Sequence, residues 1–414
     1  MQKIRRTALV TTTALALLLP AAGAVPALAA DAPVAGAPVA GAPVTGAPVT
    51  GAAFAGAAVP TAVPDGAPGT AAARLPRPTG PFAVGRDVVE LTDRHRTDPW
   101  VPAAGPRRLM VSMYYPARPG TGRPAAYMTE AEARLMIEGK APGSTTPPSR
   151  ISGIRTWSRT AARPLHGRFP LVVLSPGFTL PRATLTGLAE DLTSRGYVVA
   201  LVDHTYENTG TTFPDGTTLP CAICEQGPGR TPDVVARSRA KDVRFVLDRL
   251  TGRRADWKRA DLIDRTRIGM AGHSLGGTAA AASMATDRRI RAGVNMDGGF
   301  FVPVPRDGLD GRPFLLFGQP DSAEDASWKQ AWSRLDGWKR WLTVTGANHL
   351  TFTDGPLLAD LAGIPFPDDI DPQRSERLTR TYVAAFFDRH LKGLARPVLD
   401  RPSTSFPEVH VRRP

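Results

Sequence analysis

The chain has 414 residues, with 51 Lys+Arg against 38 Asp+Glu, 40 Gly, 41 Pro and only 2 Cys. Hydrophobic residues at 42% and charged residues at 21% describe a globular protein and exclude a coiled coil, a collagen and a disulfide-stapled miniprotein. The net charge of +13 is mostly arginine spread along the chain, with no basic block interleaved with aromatics, so no nucleic-acid partner is expected.

In chain order, the first element is a secretory signal peptide over 1–30. Lys3, Arg5 and Arg6 form its basic start, 7–19 is an apolar run too short to span a bilayer, and Ala27-Leu28-Ala29 offers small residues for cleavage. Removing 1–30 deletes three basic residues and no acidic one, leaving 48 − 38 = +10. No other stretch reads as transmembrane. The expected location is extracellular, with cell-wall association as a variant. Residues 32–56 repeat with period five (APVAG, APVAG, APVTG, APVTG, AAFAG). Proline at every fifth residue of the first four copies blocks helix, and side chains this small bury too little area to offset ordering entropy. Residues 31–79 therefore read as a disordered linker, and 80–414 as a single catalytic domain.

Within that domain, short apolar runs alternate with helical patterns. Strands are predicted at 109–115, 170–174, 197–202, 268–271, 292–296, 313–317 and 341–344. Helices are predicted at 185–195, 232–250, 275–285 and 371–391, with Val234, Val235, Val243, Val246, Leu247 and Leu250 on one face of the second. The alternation predicts an α/β fold with a mainly parallel central sheet and helices on both faces. Segments 122–168 and 204–231 break it and are read as substrate walls or a partial lid.

The chemistry centres on Gly272-His273-Ser274-Leu275-Gly276-Gly277, a G-x-S-x-G pattern entered by a strand and left by an Ala-rich helix. That context is a nucleophile elbow. Glycines at 272 and 276 let backbone approach backbone, and the helix places its positive end beneath a developing oxyanion. A serine hydroxyl needs a base. The chain order Ser, acid, His that accompanies such an elbow excludes His95, His166 and His204, and His273 lies inside the elbow. His349, just after the strand at 341–344, is the expected base, in preference to His390 on the last helix and His410 in the tail. The acid must lie between Ser274 and His349. Asp297 and Asp321 each follow a strand, and both are allowed. For the oxyanion, the backbone N–H of Leu275 needs a second donor, assigned to Phe178 in the loop Ser175-Pro176-Gly177-Phe178-Thr179.

Several further stretches extend the pattern: GPFAVG at 80–85, LMVSMYYPA at 109–117, LSPGF at 174–178, DHTYEN at 203–208, FPDG at 213–216, NMDGG at 295–299, NHLTFTD at 348–354 and AAFFDRHLKG at 384–393. With the elbow, they resemble the secreted platelet-activating factor acetylhydrolases and their bacterial α/β-hydrolase relatives, over roughly residues 80–395. The resemblance implies a Ser274, Asp297, His349 triad with Phe178 and Leu275 as oxyanion donors. A more distant resemblance to bacterial cutinases and polyester hydrolases, through PGFT at 176–179, would select Asp321 as the acid. The implied activity is carboxylic-ester hydrolysis through an acyl-enzyme. The expected partner is a small-molecule or lipid ester, with interfacial lipid contact, and no metal or organic cofactor is needed. A polyester-type hydrolase and a non-catalytic exported binding protein are the competing readings. Cys221 and Cys224, a C-x-x-C in a Pro/Gly-rich loop of an exported chain, are expected to form a small-ring disulfide rather than a redox or zinc site. Trp328, Trp332, Trp338 and Trp341 fit either interfacial binding or amphipathic packing.

Overall fold

The computed structural model describes residues 73–224, 229–362 and 369–412. The signal-peptide and repeat expectations concern residues outside that range. In chain order the elements begin with β1 (Ala83–Thr97), β2 (Pro106–Ala117), β3 (Arg123–Ala126), α1 (Glu130–Lys140), α2 (Pro148–Ser152) and β4 (Arg155–Thr160). Next come β5 (Phe169–Ser175), α3 (Thr186–Ser194), β6 (Val198–Asp203), β7 (Gly210–Thr212), β8 (Thr218–Pro220) and α4 (Pro232–Thr251). Then β9 (Ile263–His273), α5 (Leu275–Thr286), β10 (Ile290–Met296), β11 (Phe314–Gly318), α6 (Ala326–Arg334) and β12 (Lys339–Val344) follow. The described chain closes with α7 (Gly355–Ala362), α8 (Pro372–Lys392) and β13 (Val409–Arg412).

The strands lie in the order β13-β12-β11-β10-β9-β5-β6-β2-β1-β4-β3. From β12 to β6 every neighbour is parallel. Antiparallel pairs flank this block, β13 on one side and β2 on the other. The fold is that of an α/β-hydrolase. Strands buried on both faces need apolar residues throughout, and β6 is buried at all six positions. The two sheet faces carry separate cores. Val243, Leu247, Met270, Ala280 and Phe314 pack on one face, and Leu188, Val294, Phe317, Tyr382 and Phe386 on the other. Helix α5 lies against α4 and the sheet, and its run of small side chains keeps the approach close, with Ala279 and Ala280 fully buried.

Besides the short elements β3, α2, β4, β7, β8, α6 and α7, which the alternation did not predict, three details differ from the sequence reading. Strands β1 and β13 carry charged or half-exposed residues and no apolar run, so hydropathy did not mark them. Val234 is exposed rather than part of the buried face of α4. The linker boundary also shifts. Residues 73–79 belong to the folded part, because Leu75 is buried at 1% exposure, Leu75 and Ala73 exchange backbone bonds with Arg155, and Thr79 binds Asp191 at 2.7 Å.

Candidate active site

Four parallel strands end at one edge of the sheet, and the loops beyond β5, β9, β10 and β12 carry the expected site residues. Ser274 sits between β9 and α5 with φ +54 and ψ −124, a strained conformation for a residue with a side chain. Its N–H donates to the Met296 carbonyl at 2.8 Å, and its own carbonyl accepts from Gly277 N–H at 2.8 Å. The flanking glycines are sterically required. A Cβ on Gly272 would lie 2.1 Å from the Gly276 carbonyl, and one on Gly276 would lie 2.0 Å from the Ser175 oxygen. Ser274 remains partly exposed at the end of this turn.

Asp297 directly follows β10 and is buried at 6% exposure. Its Oδ1 accepts from Gln319 N–H at 2.9 Å, and its Oδ2 lies 2.6 Å from His349 Nδ1. Burial pushes the Asp297 carboxyl above its ordinary range, opposed by the bond to His349. Asp321 is exposed, in a short turn after β11, and makes no hydrogen bond to His349. The structure therefore brings His349 to Asp297 and not to Asp321.

The loop bearing His349 is fixed from two sides. His273, excluded as a base by its place in the elbow, is fully buried and donates Nε2–H to the His349 carbonyl at 2.6 Å, with the two rings 4.7 Å apart. Burial, then the neighbouring His349, pushes His273 well below the ordinary histidine range, so it stays neutral and serves as a donor. Five residues beyond His349, Asp354 accepts from Tyr127 Oη at 2.9 Å and from Gly187 N–H at 3.1 Å. Asp354 thereby anchors the far end of the stretch NHLTFTD.

Phe178 follows β5, half-buried, and Leu275 opens α5. The Phe178 loop is held by groups the sequence reading missed. Arg239, buried on α4, donates to the Pro176 carbonyl and, through Nε at 2.7 Å, to Glu207 Oε2. The Glu207 carbonyl in turn accepts from Thr179 N–H at 2.8 Å. Both ends of the loop thus run back to one ion pair. Ser175 Oγ meets His204 Nε2 at 3.0 Å, and His204 Nδ1 meets Asp242 at 2.9 Å. Arg107 joins Asp98, Glu207 and Asp242. His204, Glu207 and Asp242 converge as metal ligands could, yet both carboxylates are occupied by arginine, so the donor set is an ion-pair network. Burial raises Asp242, but Arg107, His204 and Arg96 outweigh it and hold its carboxyl below the usual range. Hydrophobic periodicity carries no trace of such a network, because its members come from four distant segments, 96–107, 175–179, 204–207 and 239–242.

The two irregular segments adjoin this region. Helices α1 and α2, from 122–168, wall an apolar cavity of about 190 Å³ with Met136, Ile137, Leu180, Leu350 and Leu358. It lies between the residue after His349 and the loop bearing Phe178. Lys140 at its wall is paired to Thr179 Oγ1, and burial lowers its pKa. In 204–231, β7 and β8 form a hairpin, and Cys221 and Cys224 are disulfide-bonded with Cα atoms 5.6 Å apart. The tryptophans pack. Trp328 and Trp341 are buried with rings 5.5 Å apart, and Trp328 Nε1–H donates to the Gly298 carbonyl at 2.8 Å.

Comparison with known proteins places the chain among ester hydrolases. A "Probable 1-alkyl-2-acetylglycerophosphocholine esterase" of Arthroderma benhamiae is 30% identical over 373 residues, covering 81% of this chain and 92% of that protein. The chain belongs to the platelet-activating factor acetylhydrolase-like family. The family described as platelet-activating factor acetylhydrolase, isoform II, matches residues 248–396, which span the elbow, Asp297 and His349. The solved structure of a ferulic acid esterase from Streptomyces cinnamoneus superposes with a TM-score of 0.75 at 42% identity, covering 83% of this chain and all of that one. A bis(hydroxyethyl) terephthalate hydrolase of Streptomyces coelicolor is 34% identical over 111 residues, 27% of each chain. As a member of this acetylhydrolase-like family, the protein is a carboxylic ester hydrolase acting on a small-molecule ester.

Proposed function

We propose that this acetylhydrolase-like enzyme is an exported serine esterase working through Ser274, His349 and Asp297. The observations that carry the reading are the 2.6 Å contact of His349 Nδ1 with Asp297 and the presentation of Ser274 at φ +54 in the turn between β9 and α5. His349 removes the Ser274 proton as Oγ attacks the ester carbonyl. Asp297 holds the imidazole tautomer and stabilises its cation. The tetrahedral oxyanion accepts hydrogen bonds from the Phe178 and Leu275 N–H groups, at the positive end of α5. His349 then protonates the leaving alcohol, and water takes the same route to release the acid.

The apolar cavity beside His349 supports a substrate with a short or medium acyl chain, lipid or phospholipid esters among them. The exposed Phe301, four residues past Asp297, supports contact with an apolar or interfacial substrate. The 42% identity to a ferulic acid esterase favours aromatic-acid esters as a second reading. The basic, apolar, small-residue pattern of 1–30 supports export.

The test is a nitrophenyl ester series from acetate to decanoate, soluble and emulsified, with a feruloyl ester alongside. Peptide mapping after fluorophosphonate treatment accompanies it. Turnover with an acyl-length optimum and an adduct on Ser274 are expected. Adduct formation elsewhere, or no hydrolysis across the panel, would contradict the proposal.

A further inference from the structure

Side chains alternate along a strand, so Val84, Arg86 and Val88 share one face of β1. Val84 is buried there at 3% exposure in an apolar cluster. Arg86 follows at 9% exposure, its Nε sealed from solvent without an acceptor. Its guanidinium makes no hydrogen bond or ion pair among the described residues, and its close neighbour is the Tyr114 ring, with the centroid 5.8 Å away. Burying a cation without a hydrogen-bonded anion is costly, and a fold keeps one where something else supplies the anion.

Arg86 lines a cavity of about 340 Å³ bounded by β2, the start of α1 and the turn after β7. Met110, Met128 and Phe213 give it apolar walls. Its other charges are accounted for. Arg182 is paired with Asp203 and donates to Ser112 Oγ at 3.0 Å. Glu132 accepts from Thr129 and Thr212 N–H groups and lies 3.8 Å from Arg182. Glu190, which feels the Arg86 charge, takes its hydrogen bonds from the Trp157 and Ser158 N–H groups. The lining charges of Arg86, Arg182, Glu132 and Asp203 sum to zero, but Arg86 is the one among them that no side chain or carbonyl of the described residues hydrogen-bonds, and it stands beside apolar surface.

We propose that this cavity is a second ligand site, outside the hydrolytic centre, for a monocarboxylate with a short aliphatic or aromatic body, the class of acid that ester hydrolysis releases. A planar carboxylate matches the guanidinium fork of Arg86, and the apolar walls take the body. This rests on the esterase activity only for the source of the acid.

The test uses enzyme whose active site has been blocked by a fluorophosphonate, with the adduct confirmed by intact mass. A missing adduct would count against the Ser274 reading, and untreated enzyme without ester then serves for the same titration. Hexanoate, cinnamate, hexanamide and cinnamamide are titrated by calorimetry, with Tm as a second readout. The two carboxylates are expected to bind the blocked enzyme and raise its Tm, and the amides are not. Arg86→Met, which loses no hydrogen bond, is expected to fold, to keep its ester turnover and to bind the carboxylates about tenfold more weakly or worse. Arg86→Lys, which retains the charge without the fork, is expected to lie between. Equal binding of acids and amides, undiminished binding by Arg86→Met, or no binding to the wild-type enzyme would each overturn the proposal.

Discussion

The choice between two aspartates was open in the sequence because each follows a parallel strand. Their three-dimensional positions separate them. Asp297 ends β10, the direct neighbour of β9, and is buried with one oxygen on Gln319 N–H and the other on His349 Nδ1. Asp321 ends one strand further out and faces solvent. Asp297→Asn, which preserves shape but misdirects the imidazole tautomer, is expected to lower kcat on the order of 10⁴. Asp321→Asn is expected to change it by less than about threefold. Steady-state kinetics on a nitrophenyl ester, with circular dichroism to confirm folding, reads both. His273 is the complementary case. Its position inside the elbow carried no separate signal, and only the fold shows its ring bonded to the backbone of the loop that bears His349.

At the scale of elements, the buried parallel strands and the amphipathic α4 and α8 were legible because continuous apolar runs and the helical period survive in the sequence. The support of the Phe178 loop was not, since it depends on one guanidinium crossing from α4 to Pro176. Arg239→Ala is expected to reduce kcat on the order of 10² while KM moves by less than about threefold. Added guanidinium ion is expected to restore part of the loss, and Arg239→Lys to fall between. An unchanged kcat would show that the loop holds its shape without the tie. Helix α8 carries the clearest pH effect. His390 packs against Trp338 and Phe386, and this burial, with Arg389 adjacent, brings its pKa from 6.5 down to about 4. A folded-state pKa below the unfolded one means the unfolded chain binds the proton more readily. Its stabilising contribution is therefore full above pH about 6.5 and is lost as pH falls through about 4. The fall of Tm across that window is expected to be shallower in His390→Gln than in wild type.

At the scale of the whole molecule, the composition break near residue 79 marks the start of the folded part only approximately, because a short anchored stretch contains too few residues for periodicity to show. Leu75 is buried, its carbonyl accepts from Trp157 Nε1–H at 2.8 Å, and Arg380 reaches the Pro76 carbonyl at 3.1 Å. A chain beginning at Ala73 is expected to retain full esterase activity. One beginning at Pro81 is expected to be less stable by about 2 kcal/mol or more, from the buried leucine alone. Denaturant midpoints compare the two, and equal midpoints would return the boundary to 79.

The proposed triad converges on one hydroxyl, and replacing it is the most direct test. Ser274→Ala, folded as wild type, is expected to lose on the order of 10⁶ in kcat on a nitrophenyl ester. A loss of less than about tenfold would contradict the assignment of Ser274 as nucleophile and, with it, the roles given to His349 and Asp297.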